Sequence, residues 1–578
     1  MNWVMKIGIV VLSLIAVVSG VFAYLYSGGR PDDIDVGTAP TMALSKEDAK
    51  YLQQVEHLGG FVFGDLTLPK FSKALKEGDA QTLTKFIAAD FKGRLFSGTG
   101  RLRMRAFATL RSWKQGSEAL QAVDGKGFVK ALLAMRNEFS ELKICAVKVM
   151  QMQPDKHDEL TGGWNGSFKI ILAGKLTAGG IARRIARFAI KLNRLPEDMP
   201  KQSAWLSSCS CYEQQMAQAK DYLMTDMTAE TGIKVNKLHD NWLLPKTANR
   251  PALTGGIYLC DYNRDGLMDL LVADLQGTFF YKGQPGARFV QVNDEVGLPE
   301  NPLKKQLGAV FADFNGDGFE DLVLGNRLYK NDNGKRFVQL KDNEHSLYLE
   351  PGSGQFAVAD YDLDGKVDLY VIGLKKMKTV LNWVGKNDQA HNQLWRNLGD
   401  FQFVEVTRKT KTAGNGSSAF GAIWFDANSD GRPDLLTACE FGMNDYLLND
   451  PSGVFKPGPM PPGYGGFSMG ITFSDVNNDG RGDPYIANMY SKAGERIVAN
   501  LKLGLYKPEI DDQLRDFVSG NELYHNVGGK FKRIGRSSGV SDVGWAYGVG
   551  FVDLDGDGFP EPYAPVGYQS VTASKPDG

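Results

Sequence analysis

The first pattern along the chain is an apolar run without charge. Residues 7–26 span 20 positions with no Asp, Glu, Lys or Arg, and as a helix they would cover about 30 Å, the thickness of a bilayer core. Trp3, Tyr24 and Tyr26 fall where interfacial aromatics sit, Lys6 precedes the run, and Asp32, Asp33 and Asp35 follow it. That asymmetry predicts an N-terminal transmembrane helix with the N-terminus inside and the bulk of the chain outside. The rival reading is a cleaved signal segment with Val21-Phe22-Ala23 as its cleavage site, although its apolar region exceeds the usual ~7–15 residues. Both readings assign 1–29 to an anchor or signal, 30–44 to a linker, and export the rest to the periplasm or cell surface. If the run is cleaved, the remainder is secreted.

Beyond the linker, residues 45–227 change period partway. Ser45 with Asp48 opens a helix to about residue 57, Asp79 caps a second predicted helix over 80–91 with Leu83, Phe86 and Ile87 on one face, and 126–139 repeats the pattern with Phe128, Leu132, Leu133 and Phe139. Lys143–Met152, Trp164–Leu172 and Trp205–Glu213 then read as strands. Helices followed by long strands predict a small α+β domain. The order loosely resembles the NTF2-like cone fold, by pattern and without a motif. Within it, Ile181, Ile185, Phe188, Leu192 and Leu195 fall at helical spacing, with Arg183, Arg184, Arg187, Lys191 and Arg194 between them. This suits a basic helix on an anionic membrane surface. Its place inside a folded domain favours a solvated helix face, or a strand through Phe188, Ile190 and Leu192. Cys209 and Cys211, two apart on one strand, read as packing residues, because no second Cys or His pair follows them.

Residues 228–578 are a repeat that carries the candidate chemistry. Six nine-residue stretches share the pattern D-x-[DN]-x-D-G-x-x-[DE]. At positions 1, 3, 5 and 9 they hold Asp261, Asn263, Asp265 and Asp269; Asp313, Asn315, Asp317 and Asp321; and Asp360, Asp362, Asp364 and Asp368. The later three hold Asp426, Asn428, Asp430 and Asp434; Asp475, Asn477, Asp479 and Asp483; and Asp553, Asp555, Asp557 and Glu561. Successive copies begin 47 to 78 residues apart, which is repeat architecture. Alternate oxygens of a tight loop, with Gly at the sharp turn of position 6, suit Ca²⁺, which takes about six to eight oxygens at ~2.3–2.6 Å. An EF-hand is excluded. Its Glu at position 12 is replaced by Val272, Leu324, Val371, Thr437, Ile486 and Ala564, and apolar strand-like runs flank the loops. Arg481-Gly482-Asp483 spells an adhesion tripeptide, but Asp483 is also a position-9 ligand expected to point inward.

A second hairpin follows most copies. Asn326-Arg-Leu-Tyr329-Lys-Asn331 runs to Phe337, Asn392-Gln-Leu-Trp395-Arg-Asn397 to Phe403, and Asn521-Glu-Leu-Tyr524-His-Asn526 to Phe531, with weaker copies at Leu447-Leu448-Asn449 and Phe280-Tyr281. Two hairpins per repeat make a four-stranded propeller blade. The repeats resemble the FG-GAP, or VCBS-type, repeats of integrin α-subunit propellers, and more closely those of bacterial relatives of the cartilage acidic protein family. The resemblance implies a mainly β chain, a six- or seven-bladed β-propeller with about six Ca²⁺ ions held by the residues named above. The segment Thr228–Tyr258 is a candidate to lend a strand to the last blade.

Composition narrows the function. Lys and Arg number 66 against 67 Asp and Glu, a net charge of −1, which argues against nucleic acid as a partner. The six histidines form no pair at metal or relay spacing, and no G-x-S-x-G, Walker or H-E-x-x-H motif is present. The expectation is a membrane-anchored, exported, calcium-binding scaffold for a protein or glycan partner. The alternative is a carbohydrate-active or other hydrolytic enzyme working on the propeller face.

Overall fold

The computed structural model describes residues 46–566 apart from short breaks, the longest being 194–200, 241–254, 301–307, 374–391 and 502–507. The apolar run 7–26 lies outside the described residues. Among those described, no helix is long and apolar enough to cross a membrane.

The chain opens with α1 (Lys46–Val55), which continues as a wider helical turn over Glu56–Thr67, followed by α2 (Leu68–Glu77) and α3 (Ala80–Lys85). Asp79 caps α3 as its sequence position predicts, accepting from the Thr82 amide at 2.9 Å and the Thr82 hydroxyl at 2.6 Å. The expected helix over 80–91 stops early, because Ile87–Phe96 is strand β1. Phe86 and Ile87 supply a helical face, but their partners come from far along the chain. Ile87 pairs with Leu206, and the Phe86 ring packs 5.5 Å from Trp205. After β2 (Arg101–Met104), β3 (Ala108–Lys114) and β4 (Leu120–Val123), Asp124 caps α4 (Gly125–Asn137) through the Gly127 amide at 2.7 Å.

Four long strands follow: β5 (Phe139–Pro154), β6 (Trp164–Leu176), β7 (Ile181–Leu192) and β8 (Leu206–Ala219). The sheet order is β2-β3-β8-β7-β6-β5, with β1 joining the edge of β8 and β4 joining β1. The basic stretch at 181–195 is therefore not a membrane-surface helix. From Ile181 to Leu192 it is a strand paired on both sides. Its exposure alternates with period two, so Ala182, Arg184, Ala186, Phe188, Ile190 and Leu192 are buried. Cys209 and Cys211 are buried free thiols in the same apolar core, in the packing role expected of them.

Among the described residues the second half is a β-propeller of five complete blades, each a four-stranded antiparallel sheet. Blade 1 comprises 257–260, 269–273, 278–284 and 288–291. Blade 2 comprises 309–312, 321–324, 327–331 and 337–339, and blade 3 comprises 355–359, 368–372, 393–399 and 402–405. Blade 4 comprises 418–425, 434–441, 445–449 and 455–457, and blade 5 comprises 471–474, 483–486, 522–526 and 531–533. The first strand of each blade lies beside the first strand of the next, so these strands line the axis. The expectation of six or seven blades is thus reduced. A sixth acidic loop is present, and among the described residues only the two strands 550–552 and 561–563 accompany it. The described part of the Thr228–Tyr258 segment does not lend a strand to that hairpin. Ile233 and Leu238 pack instead on Leu270, Val272 and Phe279 of blade 1.

The long interval before the sixth loop holds α5 (Lys492–Ala499) and α6 (Pro508–Ser519), inserted between the second and third strands of blade 5. This insertion ties the two halves together. Arg496 forks onto the Glu56 carboxylate, and Asn500 Nδ2 donates to the Met152 carbonyl at 2.8 Å. Lys169 pairs with Asp542 at 3.1 Å alongside.

One buried acid gives a pH signature. Glu440 is the extra residue of a bulge in blade 4, because Ala419 pairs with Cys439 and Ser418 with Phe441. It is fully buried, neither carboxylate oxygen has a hydrogen-bond partner among the described residues, and burial pushes its pKa up to about 8. The folded state holds this proton where the unfolded chain, with a pKa of 4.5, releases it. Stability therefore falls as pH rises between those two values, by up to about 1.4 kcal/mol per unit, and levels off above the upper one. Urea unfolding of the native chain and the Glu440→Gln variant should diverge steadily over this window. Parallel pH profiles would contradict it.

Candidate cation loops

Each acidic loop joins the first strand of a blade to the second, so topology places all six at one end of the propeller. Their backbones repeat closely. Position 6 is glycine at φ +82° to +91° in every copy, a conformation that disfavours any side chain. Position 4 is left-handed as well: Arg264, Gly316, Leu363, Ser429, Asn478 and Gly556 lie between φ +57° and +75°. The sequence points to the glycine but not to position 4, where four of the six residues are neither Gly nor alike.

The side chains hold this shape through backbone amides. In the first loop, Asp261 accepts from the amides of Asp265 and Gly266 at 3.1 and 3.0 Å, and Asp265 accepts from Leu267 at 3.0 Å. Asn263 accepts from the Asp265 amide and donates to its carboxylate, at 3.2 and 3.0 Å. That amide donation pulls the Asp265 carboxyl below its ordinary range, and Asn477 does the same for Asp479. The other loops repeat the position-1 contacts: Asp313 to Asp317 and Gly318, Asp360 to Asp364 and Gly365, Asp426 to Asp430 and Gly431, Asp475 to Asp479 and Gly480, and Asp553 to Asp557 and Gly558. Asn315 and Asn428 bridge to Asp317 and Asp430 as Asn263 does to Asp265.

Position 9 lies beneath the loop. Asp269, Asp321, Asp368, Asp434 and Asp483 are at most 1% exposed. One oxygen of each accepts from the position-2 amide: Tyr262, Phe314, Tyr361, Ala427 and Val476. The other oxygen accepts from an amide of the third strand: Gly283, Asn331, Asn397, Asn449 and Asn526. Asp483 is thus bonded within its blade, and the Arg-Gly-Asp tripeptide does not present its acid outward. Burial raises Asp269 and Asp434 to about 6, and Asp321 and Asp368 to about 7. Glu561 keeps the bond to position 2, at Leu554, but is only half-buried.

The third-strand asparagines have a role that their sequence pattern does not state. Asn331, Asn397, Asn449 and Asn526 each donate Nδ2 to two carbonyls. One is position 8 of their own loop; the other is position 2 of the preceding blade's loop, at Tyr262, Phe314, Tyr361 and Ala427, each at 2.8 Å. Blade 1 carries Gly283 at this place and makes no such bond backward.

The donor set fits a hard cation. It consists of oxygens only, and in two loops the carboxylates converge most closely. Oxygens of Asp360, Asp362 and Asp368 lie within 4.8 Å of one another, as do those of Asp553, Asp555 and Asp557. In both of these loops position 3 is Asp rather than Asn. Like charges this close repel unless a cation intervenes. Each of the two also has an arginine at its rim. Arg396 reaches Asp362 at 2.6 Å and Asp364 at 2.9 Å, and Arg105 of the α+β domain reaches Asp557 at 2.8 Å.

Comparison with known proteins agrees with this architecture. The FG-GAP-like repeat family matches residues 261–324, 313–371 and 426–486. No curated protein sequence matches the chain. Among solved structures, an Agrocybe aegerita lectin described as recognising non-reducing terminal N-acetylglucosamine is similar at 12% identity and TM-score 0.31, over 80% of this chain and 95% of that one. The complex of BBS1N with ARL6DN is similar at 11% identity and TM-score 0.25, over 52% and 85%. A post-proline cleaving enzyme from Rickettsia typhi follows at 7% and 0.18, over 77% and 63%. Each of these structural likenesses is too loose to transfer a site or an activity.

Proposed function

We propose that this FG-GAP repeat β-propeller protein is an exported scaffold, anchored through residues 7–26, whose propeller carries calcium in its acidic loops and binds a protein or glycan partner. One observation carries the reading: six oxygen-lined loops of one conformation stand at the same end of one propeller. Positions 1, 3, 5 and 9 would supply the carboxylate and amide oxygens. A bound cation would neutralise acids that otherwise sit side by side, and would rigidify the end of the propeller from which the loops project. In this reading the sixth hairpin begins a further blade. The faces of the propeller, rather than any single reactive side chain, make the contact with the partner.

The test has two arms. Proteolysis of cells stripped of any outer membrane, with the cytoplasmic membrane intact, should remove an epitope placed in the propeller, and the purified full chain should bind a subset of an extracellular glycan and protein panel in ~1 mM calcium but not in EDTA. An epitope protected until the cytoplasmic membrane is broken would overturn export. Binding that is the same with and without calcium would overturn the role of the loops.

A further inference from the structure

A cavity in the α+β domain, away from the acidic loops, has the features of a ligand site. It measures about 330 Å³ and is lined by Arg111, Trp113, Glu138, Ala178, Arg184 and Met216 among others, a volume at the small end of ligand pockets. Its floor follows from strand register. Met216 of β8 stands directly opposite Arg111 of β3 on one side and Arg184 of β7 on the other. Directly opposed residues share a face of the sheet, so two guanidiniums flank one thioether. The face is the one that elsewhere packs the core. Arg184 occupies a core-facing position between Ala182 and Ala186, two side chains too small to fill the space beside it. Helix α4 covers Phe188 further along the strand, through Phe128 at 6.2 Å, and ends at Asn137, so that only its capping residue Glu138 reaches Arg184.

The charge there is left unbalanced. Arg184 is 8% exposed, and its Nη2 donates to both oxygens of Glu138 at 2.9 and 2.6 Å. Its Nε–H is buried with no hydrogen-bond partner among the described residues, a costly state for a donor that points away from water. The Trp113 ring lies 5.8 Å from the guanidinium carbon. Among the described residues Arg111 donates only to the neutral Thr99 carbonyl. Burial, with Arg111 adding to it, pulls the Arg184 guanidinium below its ordinary pKa, so the pocket favours another negative charge. Two cations against one carboxylate leave room for a single anionic charge. A dianion such as a phosphate monoester would be repelled by Glu138, which shares the same guanidinium.

We propose that this cavity binds a small organic monocarboxylate, its carboxylate on Arg184 and Arg111 and its apolar body against Trp113 and Met216. Isothermal titration of the purified full chain tests this with phenylacetate, phenyl phosphate and phenethylamine as probes. Phenylacetate should bind saturably at one site with Kd below about 1 mM. Phenyl phosphate should bind about tenfold more weakly, and phenethylamine not at all. Ala178→Trp alters an exposed turn residue at the cavity wall, leaves the Arg184–Glu138 pair intact, and should abolish binding. Glu138→Gln should tighten phenylacetate binding and erase the discrimination against phenyl phosphate, a gain that no purely structural role of Glu138 would produce. Absence of saturable phenylacetate binding to chain that melts cooperatively would overturn the proposal. So would binding indifferent to Ala178→Trp, or a preference for the amine.

Discussion

Replacing Asn526 by alanine is expected to lower propeller stability by about 3–5 kcal/mol, as at the equally buried and equally bonded Asn331 and Asn397. The side chain is fully buried and makes three bonds. It donates to the carbonyls of Ala427 at 2.8 Å and Gly482 at 3.1 Å, and it accepts from the Gly529 amide at 2.9 Å. Truncation leaves two carbonyls and one amide unpaired away from water, and each orphan costs roughly 1–3 kcal/mol. Asn526→Asp should be no milder, because it removes the donor and turns a negative oxygen towards two carbonyls. Asn449→Ala should cost less, because Asn449 Oδ1 has no partner to lose among the described residues. Urea unfolding of the three variants checks both the size and the order. A loss below about 1 kcal/mol for Asn526→Ala would remove the clamp from the account of stability.

The second large effect is that of calcium withdrawal. If each loop binds with Kd ~10 μM, about 1 mM calcium adds roughly 2.7 kcal/mol per independent site. Chelation should therefore depress the melting of the propeller far more than that of the α+β domain, and should open the propeller first to protease. Protons should move with the metal. Without a cation, burial holds Asp321 and Asp368 at about 7, so both are partly protonated near neutrality. Cation binding requires the ionised form and expels those protons. Affinity should consequently fall as pH drops through 7, and titration heats should depend on the ionisation enthalpy of the buffer. Equal melting in calcium and EDTA would sink the calcium reading. Heats independent of the buffer would sink the proton linkage.

The acidic loops were legible in the sequence because their constraints are local. Four acidic or amide positions and one glycine lie within nine residues, and the pattern recurs six times. What escaped depends on partners distant in sequence. Phe86 and Ile87 spell the last turn of a helix until Trp205 and Leu206 arrive to pair with them. The arginines of 181–194 look like one face of a helix because alternating Arg and apolar residues satisfy both periods over a short stretch. Only pairing with β6 and β8 selects the strand, and that choice brings Arg184 to the cavity. Asn331, Asn397, Asn449 and Asn526 were visible as a recurring letter. Their partners lie 69 to 99 residues away in the preceding repeat, so no local rule assigns their role.

These asparagines reach in one direction only. Each blade fastens the loop of the blade made before it, and blade 1, with Gly283, fastens nothing. On the ribosome the chain emerges in that same order. A nascent propeller therefore has its earlier loops sealed one at a time by newly synthesised residues, and at each step a single loop waits for its partner. Assembly from the other end would reverse this, each new loop meeting a clamp already folded. During synthesis, when only the N-terminal blades are present, the polarity of the clamp thus leaves one loop at a time open at the growing end.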